Sequence, residues 1–185
     1  HIDSNGTWDW VATGGGPGGD SADGVTTDSA GDLRVMGSFQ GGSTQGAQFG
    51  SQSFNAVGSS DLFVSKLTSS GSWSWTQTAG APSGVVITWG FDTEGTDSYV
   101  GGLFSGTASF GSHSVTSGSQ DNNAFIAKID GSGAWQWANA SSGTGIQYIG
   151  SIDASPNGIA VSGGFSSGPS TSATFGSNTL TGTYF

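Results

Sequence analysis

Leu62-Phe63-Val64-Ser65-Lys66-Leu67 runs through Thr68-Ser69-Ser70 into Gly71-Ser72-Trp73-Ser74-Trp75, and the same order returns as Ala124 to Ile129, Asp130-Gly131-Ser132 and Gly133-Ala134-Trp135-Gln136-Trp137. The first segment of each pair carries apolar side chains on both faces of an extended chain, as a strand with neighbours packed above and below it requires. In the W-x-W segment the two indoles are expected on one face, with Asp9, Ser74 or Gln136 on the other. A short Ser, Gly and Asp run between two such segments is turn chemistry, so each pair reads as a hairpin.

Working outward, the G-x-W-x-W element also occurs at Gly6-Trp8-Trp10, which gives Trp-to-Trp periods of 65 and 62 residues. An Asp follows each pair, at Asp28, Asp92 and Asp153. V-x-G-x-F comes next, at Val35 to Phe39, Val100 to Phe104 and Val161 to Phe165, and then A-x-F-G-S at Ala47 to Ser51, Ala108 to Ser112 and Ala173 to Ser177. Ordered elements recurring in phase mark tandem repeats of about 62 residues, divided as 1–65, 66–127 and 128–185. No sustained helical period interrupts them. The chain is expected to be all-β, with four main strands per copy and a fifth element at A-x-F-G-S. Spacing varies mainly after V-x-G-x-F, so Gln40 to Gly46, Ser105 to Thr107 and Ser166 to Ser172 are expected surface loops able to carry specificity. His1-Ile2 aligns with Lys128-Ile129, and Phe185 with Phe63 and Phe125. Both boundaries then cut a strand, as in a segment of a longer array or a ring assembled with other chains.

Composition bounds the function classes. Of 185 residues, 35 are Gly, yet seven Trp and eleven Phe at regular intervals argue for an ordered core rather than a low-complexity linker. The net charge of −10, with Arg34, Lys66 and Lys128 as the whole cationic complement, excludes a phosphate-neutralising patch and makes nucleic acid and anionic membranes poor partners. Charged residues are only 9%, so solubility rests on Ser, Thr, Asn, Gln and Gly, a surface suited to an extracellular or cell-surface setting. The absence of Cys removes thiol chemistry and disulfides. No apolar run approaches the length of a membrane-spanning helix, so membrane insertion is not expected.

The order F-V-x-K-L, turn, G-x-W-x-W, D-x-x-G-D, V-x-G-x-F resembles the bacterial and archaeal β-propeller repeat family of large secreted and surface proteins, across essentially the whole chain. Phe63 to Leu67 with Trp73 to Trp75, Phe125 to Ile129 with Trp135 to Trp137, and the turn Asp28 to Asp32 carry the likeness; the Trp pair and the A-x-F-G-S insertion depart from it. The resemblance implies four-stranded antiparallel propeller-type blades and a scaffold or adhesion role, and it carries no catalytic residues. Three blades are fewer than the four to eight of a propeller ring. Further repeats or self-association would complete one. The alternative is a closed threefold fold, a β-prism or β-trefoil of the lectin kind.

Two constellations could carry chemistry. The indoles of Trp8, Trp10, Trp73, Trp75, Trp135 and Trp137 are candidate stacking platforms for glycans, against the plainer reading that they form the apolar layer of each unit. Trp89, in a slot given to Val25 and Gly150 in the other copies, reads as core. Asp28 with Asp32 and Asp92 with Asp97 are candidate calcium ligands, because calcium takes carboxylate and carbonyl oxygens; Asx-turn capping is the plainer reading. Apart from calcium no cofactor is expected. No Ser-His-Asp elbow is present, and His1 and His113 sit in ordinary repeat slots. The leading expectation is therefore a non-enzymatic extracellular structural or adhesion module. A multivalent carbohydrate-binding module comes second and a polysaccharide-active enzyme third.

Overall fold

The computed structural model describes residues 1–40, 46–118, 122–166 and 171–182. Parts of two variable loops (41–45 and 167–170) and Phe185 lie outside the described residues. The described chain is all-β. The strands are β1 (Gly14–Gly15), β2 (Asp20–Thr27), β3 (Leu33–Phe39), β4 (Ala47–Phe49), β5 (Gln52–Phe54), β6 (Asp61–Leu67), β7 (Trp73–Gly80), β8 (Val86–Glu94) and β9 (Asp97–Phe104). They continue as β10 (Thr107–Phe110), β11 (His113–Thr116), β12 (Asn123–Ile129), β13 (Trp135–Ala140), β14 (Ser142–Thr144), β15 (Gln147–Ser155), β16 (Gly158–Phe165), β17 (Ser172–Phe175) and β18 (Asn178–Thr181).

A first sheet contains the antiparallel meander β2-β3-β6-β7, extended at β7 by β10 and β11. A second is the meander β8-β9-β12-β13, and a third has the two strands β15-β16. The expected four strands are thus assembled twice among the described residues, and these residues close into neither a barrel nor a ring. The A-x-F-G-S element is not one strand but the arm and turn of a hairpin (β4–β5, β10–β11, β17–β18). Each of these hairpins pairs with the end of the preceding W-x-W segment, at β1, β7 and β14. Its turn needs the left-handed region, which Gly50, Gly111 and Gly176 supply at φ 61°, 58° and 59°.

Bulges explain two recurring patterns. The Gly of V-x-G-x-F (Gly37, Gly102, Gly163) faces a bulged strand, where a Cβ would collide with the carbonyl oxygen of Ser21, Ile87 or Tyr148. In W-x-W the middle residue is itself the bulge: Lys66 and Leu67 oppose Trp75 and Trp73, leaving Ser74 over, and Lys128 and Ile129 oppose Trp137 and Trp135, leaving Gln136 over. One inserted residue shifts the alternation, so the two indoles leave by opposite faces rather than sharing one.

The core is consequently a set of layers. Phe39, Ala47, Phe49 and Phe63, with Trp73 against them, cover one face of the first sheet. Met36, Leu62 and Val64 from its other face meet Val86, Val100, Phe104, Phe125, Ala127, Ile129 and Trp135 of the second. Tyr99 and Ala124 on the far face of the second sheet meet Ile149 and Ile152 of the third. The F-[VI]-x-K-[LI] strands do feed apolar groups to both faces, Phe63 to one layer and Leu62 and Val64 to the next. Each fully buried Phe contributes about 1.5–3 kcal/mol by leaving water.

Candidate functional site

The six indoles do not form three equivalent platforms. Trp8 is 72% exposed whereas Trp135 is 8% exposed, and the other four lie between. The opposed projection gives the two indoles different jobs. The first covers the glycine of the preceding A-x-F-G-S hairpin turn, Trp73 over Gly50 and Trp135 over Gly111. The second reaches the turn of the next repeat: Trp10 lies over Gly71, and Trp75 over Gly133, where a Cβ would come within 3.0 Å of its ring. Trp75 Nε1 also donates to the Gly131 carbonyl at 3.2 Å.

The D-x-x-G-D turn of the first sheet forms a buried ion cluster. The Ala30 and Asp32 amides donate to Asp28 Oδ1 at 2.9 and 3.0 Å, and Arg34 Nε and Nη2 donate to Asp28 Oδ2 at 3.3 and 3.1 Å. Lys66 Nζ bridges Asp28 and Asp32 at 3.3 and 2.9 Å. Burial pushes the Asp28 carboxyl up, but the two amides and the Lys66 ammonium outweigh it and hold the group below its ordinary range. Arg34 Nη2 donates across the sheet gap to the Thr96 carbonyl at 2.8 Å, and its guanidinium lies 4.9 Å from the Trp75 ring centroid. The cluster is thus a joint between the first and second sheets.

The second sheet departs from this arrangement because its register differs. Asp92 opposes Tyr99 as Asp153 opposes Ala160, while the matching first-sheet position, opposite Arg34, is Thr26. Asp28 lies two residues further on, in a turn one residue longer, so it is not the counterpart of Asp92. The other two calcium candidates go to separate partners. Asp92 Oδ2 accepts the Ala154 amide of the third sheet at 2.7 Å and Oδ1 accepts Thr93 N at 2.8 Å, whereas Asp97 pairs with Lys128 at 2.7 Å. The Asp97 carboxylate raises the pKa of Lys128, with burial opposing. Among the described residues no three His, Cys, Asp or Glu side chains gather as a metal-binding group.

Two further groups were missed from sequence. Asp61 is buried, with Oδ2 accepting Val57 N at 2.7 Å and Oδ1 accepting Gly58 N at 3.1 Å; burial raises its pKa and the two amides only partly offset that. Its counterpart Asn123 donates to the Ser141 carbonyl at 2.8 Å and to Gln147 Oε1 at 3.2 Å. A polar residue directly before the apolar pair, in Asp61-Leu62-Phe63 and Asn123-Ala124-Phe125, was the available signal. Trp89, read as core, is instead 46% exposed: it is the bulge residue of β8, equivalent to Asp23 and Gly150, and meets Tyr148 edge-on at 5.5 Å.

One cleft, of about 380 Å³, opens between the N-terminal segment and the first sheet, lined by Trp10, Phe49, Phe63 and Trp73 with Asp20 and Thr13 at its polar side. No protein-family model and no curated protein matches the chain.

Proposed function

We propose that this chain is a non-enzymatic structural or adhesion module of an extracellular or cell-surface protein, in which propeller-type blades are stacked into a rigid body. The observation that carries the reading is the repeated docking of the second indole on the next repeat's turn, Trp10 on Gly71 and Trp75 on Gly133. Such contacts set the spacing and rotation of successive sheets. The chain's three Lys and Arg side chains support it as well, since all serve structural contacts with Asp28, Asp32 or Asp97. Cryo-EM imaging of the native material tests the reading. Continuation of the stack into further repeats or subunits supports it, and an isolated module around one deep pocket of converging acids would sink it.

The aromatic cleft favours a second reading, binding of a sugar ring. Trp10 and Trp73 would supply ring faces, and Asp20 a hydrogen-bond acceptor. Titration against a glycan panel decides this one: the reading expects binding that Trp10→Ala abolishes, and a blank panel removes it.

A further inference from the structure

The connection from the first hairpin into β6, residues 55–60, lies against the chain that leads into β8. Ser59 N and Ser59 Oγ both donate to the Gly84 carbonyl at 3.3 Å, and Val86 N donates to the Ser60 carbonyl at 3.1 Å. The Ala81–Gly84 turn is closed by its own bond, from Gly84 N to the Ala81 carbonyl at 3.0 Å. This corner joins the first and second sheets at the end of β6 opposite to the Asp28 cluster.

Asp61 sits in the corner with its carboxyl buried. The Val57 and Gly58 amides reach its two oxygens, and Gly80 packs on the carboxyl so closely that a Cβ there would collide with it. Gly58 is equally confined: a Cβ on it would collide with the Ala81 carbonyl oxygen and lie 2.8 Å from that of Gly84 and 3.1 Å from Asp61 Oδ1. Three oxygens thus converge beside the Gly58 Cα, which leaves no room for a cation among them. An ionised Asp61 then faces the negative ends of two carbonyl dipoles.

No positive charge offsets this. The strands β5, β7 and β10 and the connections 55–60 and 81–85 have no titratable side chain. On β6 and β3, Lys66 and Arg34 lie five residues along the strand from Asp61 and its partner Phe39, about 16 Å away, and both are committed to Asp28. Asp92 and Glu94 stand at the far end of β8, and Asp20 of β2, in the same row beyond Phe39, is a like charge. Burial accordingly raises the Asp61 pKa, with the Val57 and Gly58 amides opposing it.

The second sheet shows what a proton would add. Asn123 occupies the slot of Asp61, and its Nδ2 donates to the Ser141 carbonyl at 2.8 Å. An amide donates at every pH, whereas a carboxyl donates only when protonated. We propose that Asp61 is a proton-operated latch between the 55–60 connection and the Ala81–Gly84 turn, the titratable version of the fixed latch at Asn123. A proton taken from water onto Oδ1 turns a repulsive contact into an O–H donated to the Ala81 or Gly84 carbonyl, while both amides keep their acceptors. Because the folded pKa is raised, the stabilisation is complete below the unfolded value of 3.8 and is lost as pH rises through the folded one. The corner between the first two sheets therefore tightens in acid, and the Asn123 slot does not respond.

Carbon-13 NMR of the Asp61 carboxyl in the 185-residue chain, paired with amide hydrogen exchange corrected for its intrinsic pH dependence, tests the latch. The carboxyl midpoint should lie above 3.8, and protection of residues 57–60 should rise at least about threefold as pH falls through it. In Asp61→Asn that protection should become independent of pH over the same range. A midpoint at or below 3.8, protection that stays flat or falls in acid, or an unchanged pH response in the Asn variant overturns the proposal. If the variant folds poorly, the wild-type midpoint and exchange profile still decide.

Discussion

The second and third sheets share a sequence framework and differ in what covers it. Phe110 and Phe175 occupy the same hairpin position, yet Phe110 touches both Phe125 and Trp135 and is fully buried, while Phe175 is partly in water. The chemistry at a repeat position therefore does not set its contribution; the strands laid over it do. Hydrophobic stabilisation follows area removed from water, and that area belongs to the assembly of strands rather than to the residue.

The sharpest way to break the comparison is truncation. Phe110→Ala should cost about 3–5 kcal/mol in a urea titration, the range for a buried aromatic that leaves a cavity, whereas Phe175→Ala should cost under about 1 kcal/mol. Equal costs would mean that the third sheet is covered in solution by something other than the described residues. A smaller contrast lies in the acids. Asp92 receives the Ala154 amide and so joins the two sheets, while its register counterpart Asp153 is exposed. Asp92→Ala should lose about 1.5–3 kcal/mol, as for a hydrogen bond to a charged group, and Asp153→Ala should stay within about 0.5 kcal/mol.

The smallest contrast concerns acid. Asp130 caps the β12–β13 turn, accepting Ser132 Oγ at 2.6 Å, Ser132 N at 2.8 Å and Ala134 N at 3.0 Å, and these bonds, with the Ser132 hydroxyl foremost, hold its pKa below the ordinary 3.8. A depressed carboxylate pKa stabilises the folded state above the unfolded value, and that contribution disappears as pH falls through the folded one. Hydrogen exchange should therefore show the β12–β13 turn loosening at acid pH below 3.8. The two-residue Pro156–Asn157 turn of the third sheet has no such cap and should change less. In Asp130→Asn the acid dependence of the β12–β13 turn should vanish.

The all-β class and the antiparallel pairing of F-V-x-K-L with W-x-W were legible because apolar alternation and turn chemistry report the backbone directly. What was misread turns on single inserted residues. Ser74 and Gln136 sit in bulges that send the paired indoles to opposite faces, and no count of alternation reveals a bulge whose flanking residues are both Trp. Asp28 aligned with Asp92 by spacing, but the first turn is one residue longer, which converts a strand position into a turn that pairs with Arg34. Trp89 looked like core because large apolar residues usually are; the bulge of β8 turns it outward. Asp61 was passed over because its burial arises from Gly80 and the loop at Val57 and Gly58, contacts remote from its own strand pattern.

The indole that crosses from one sheet to the turn of the next has a mechanical consequence. Trp75 and the Arg34 guanidinium beside it both belong to the first sheet and both reach into the second, so tension that separates the two sheets must pull the ring off Gly131 and Gly133 and the guanidinium off the Thr96 carbonyl together. The two sheets are thus held together by side chains wedged between them as well as by the chain that links them.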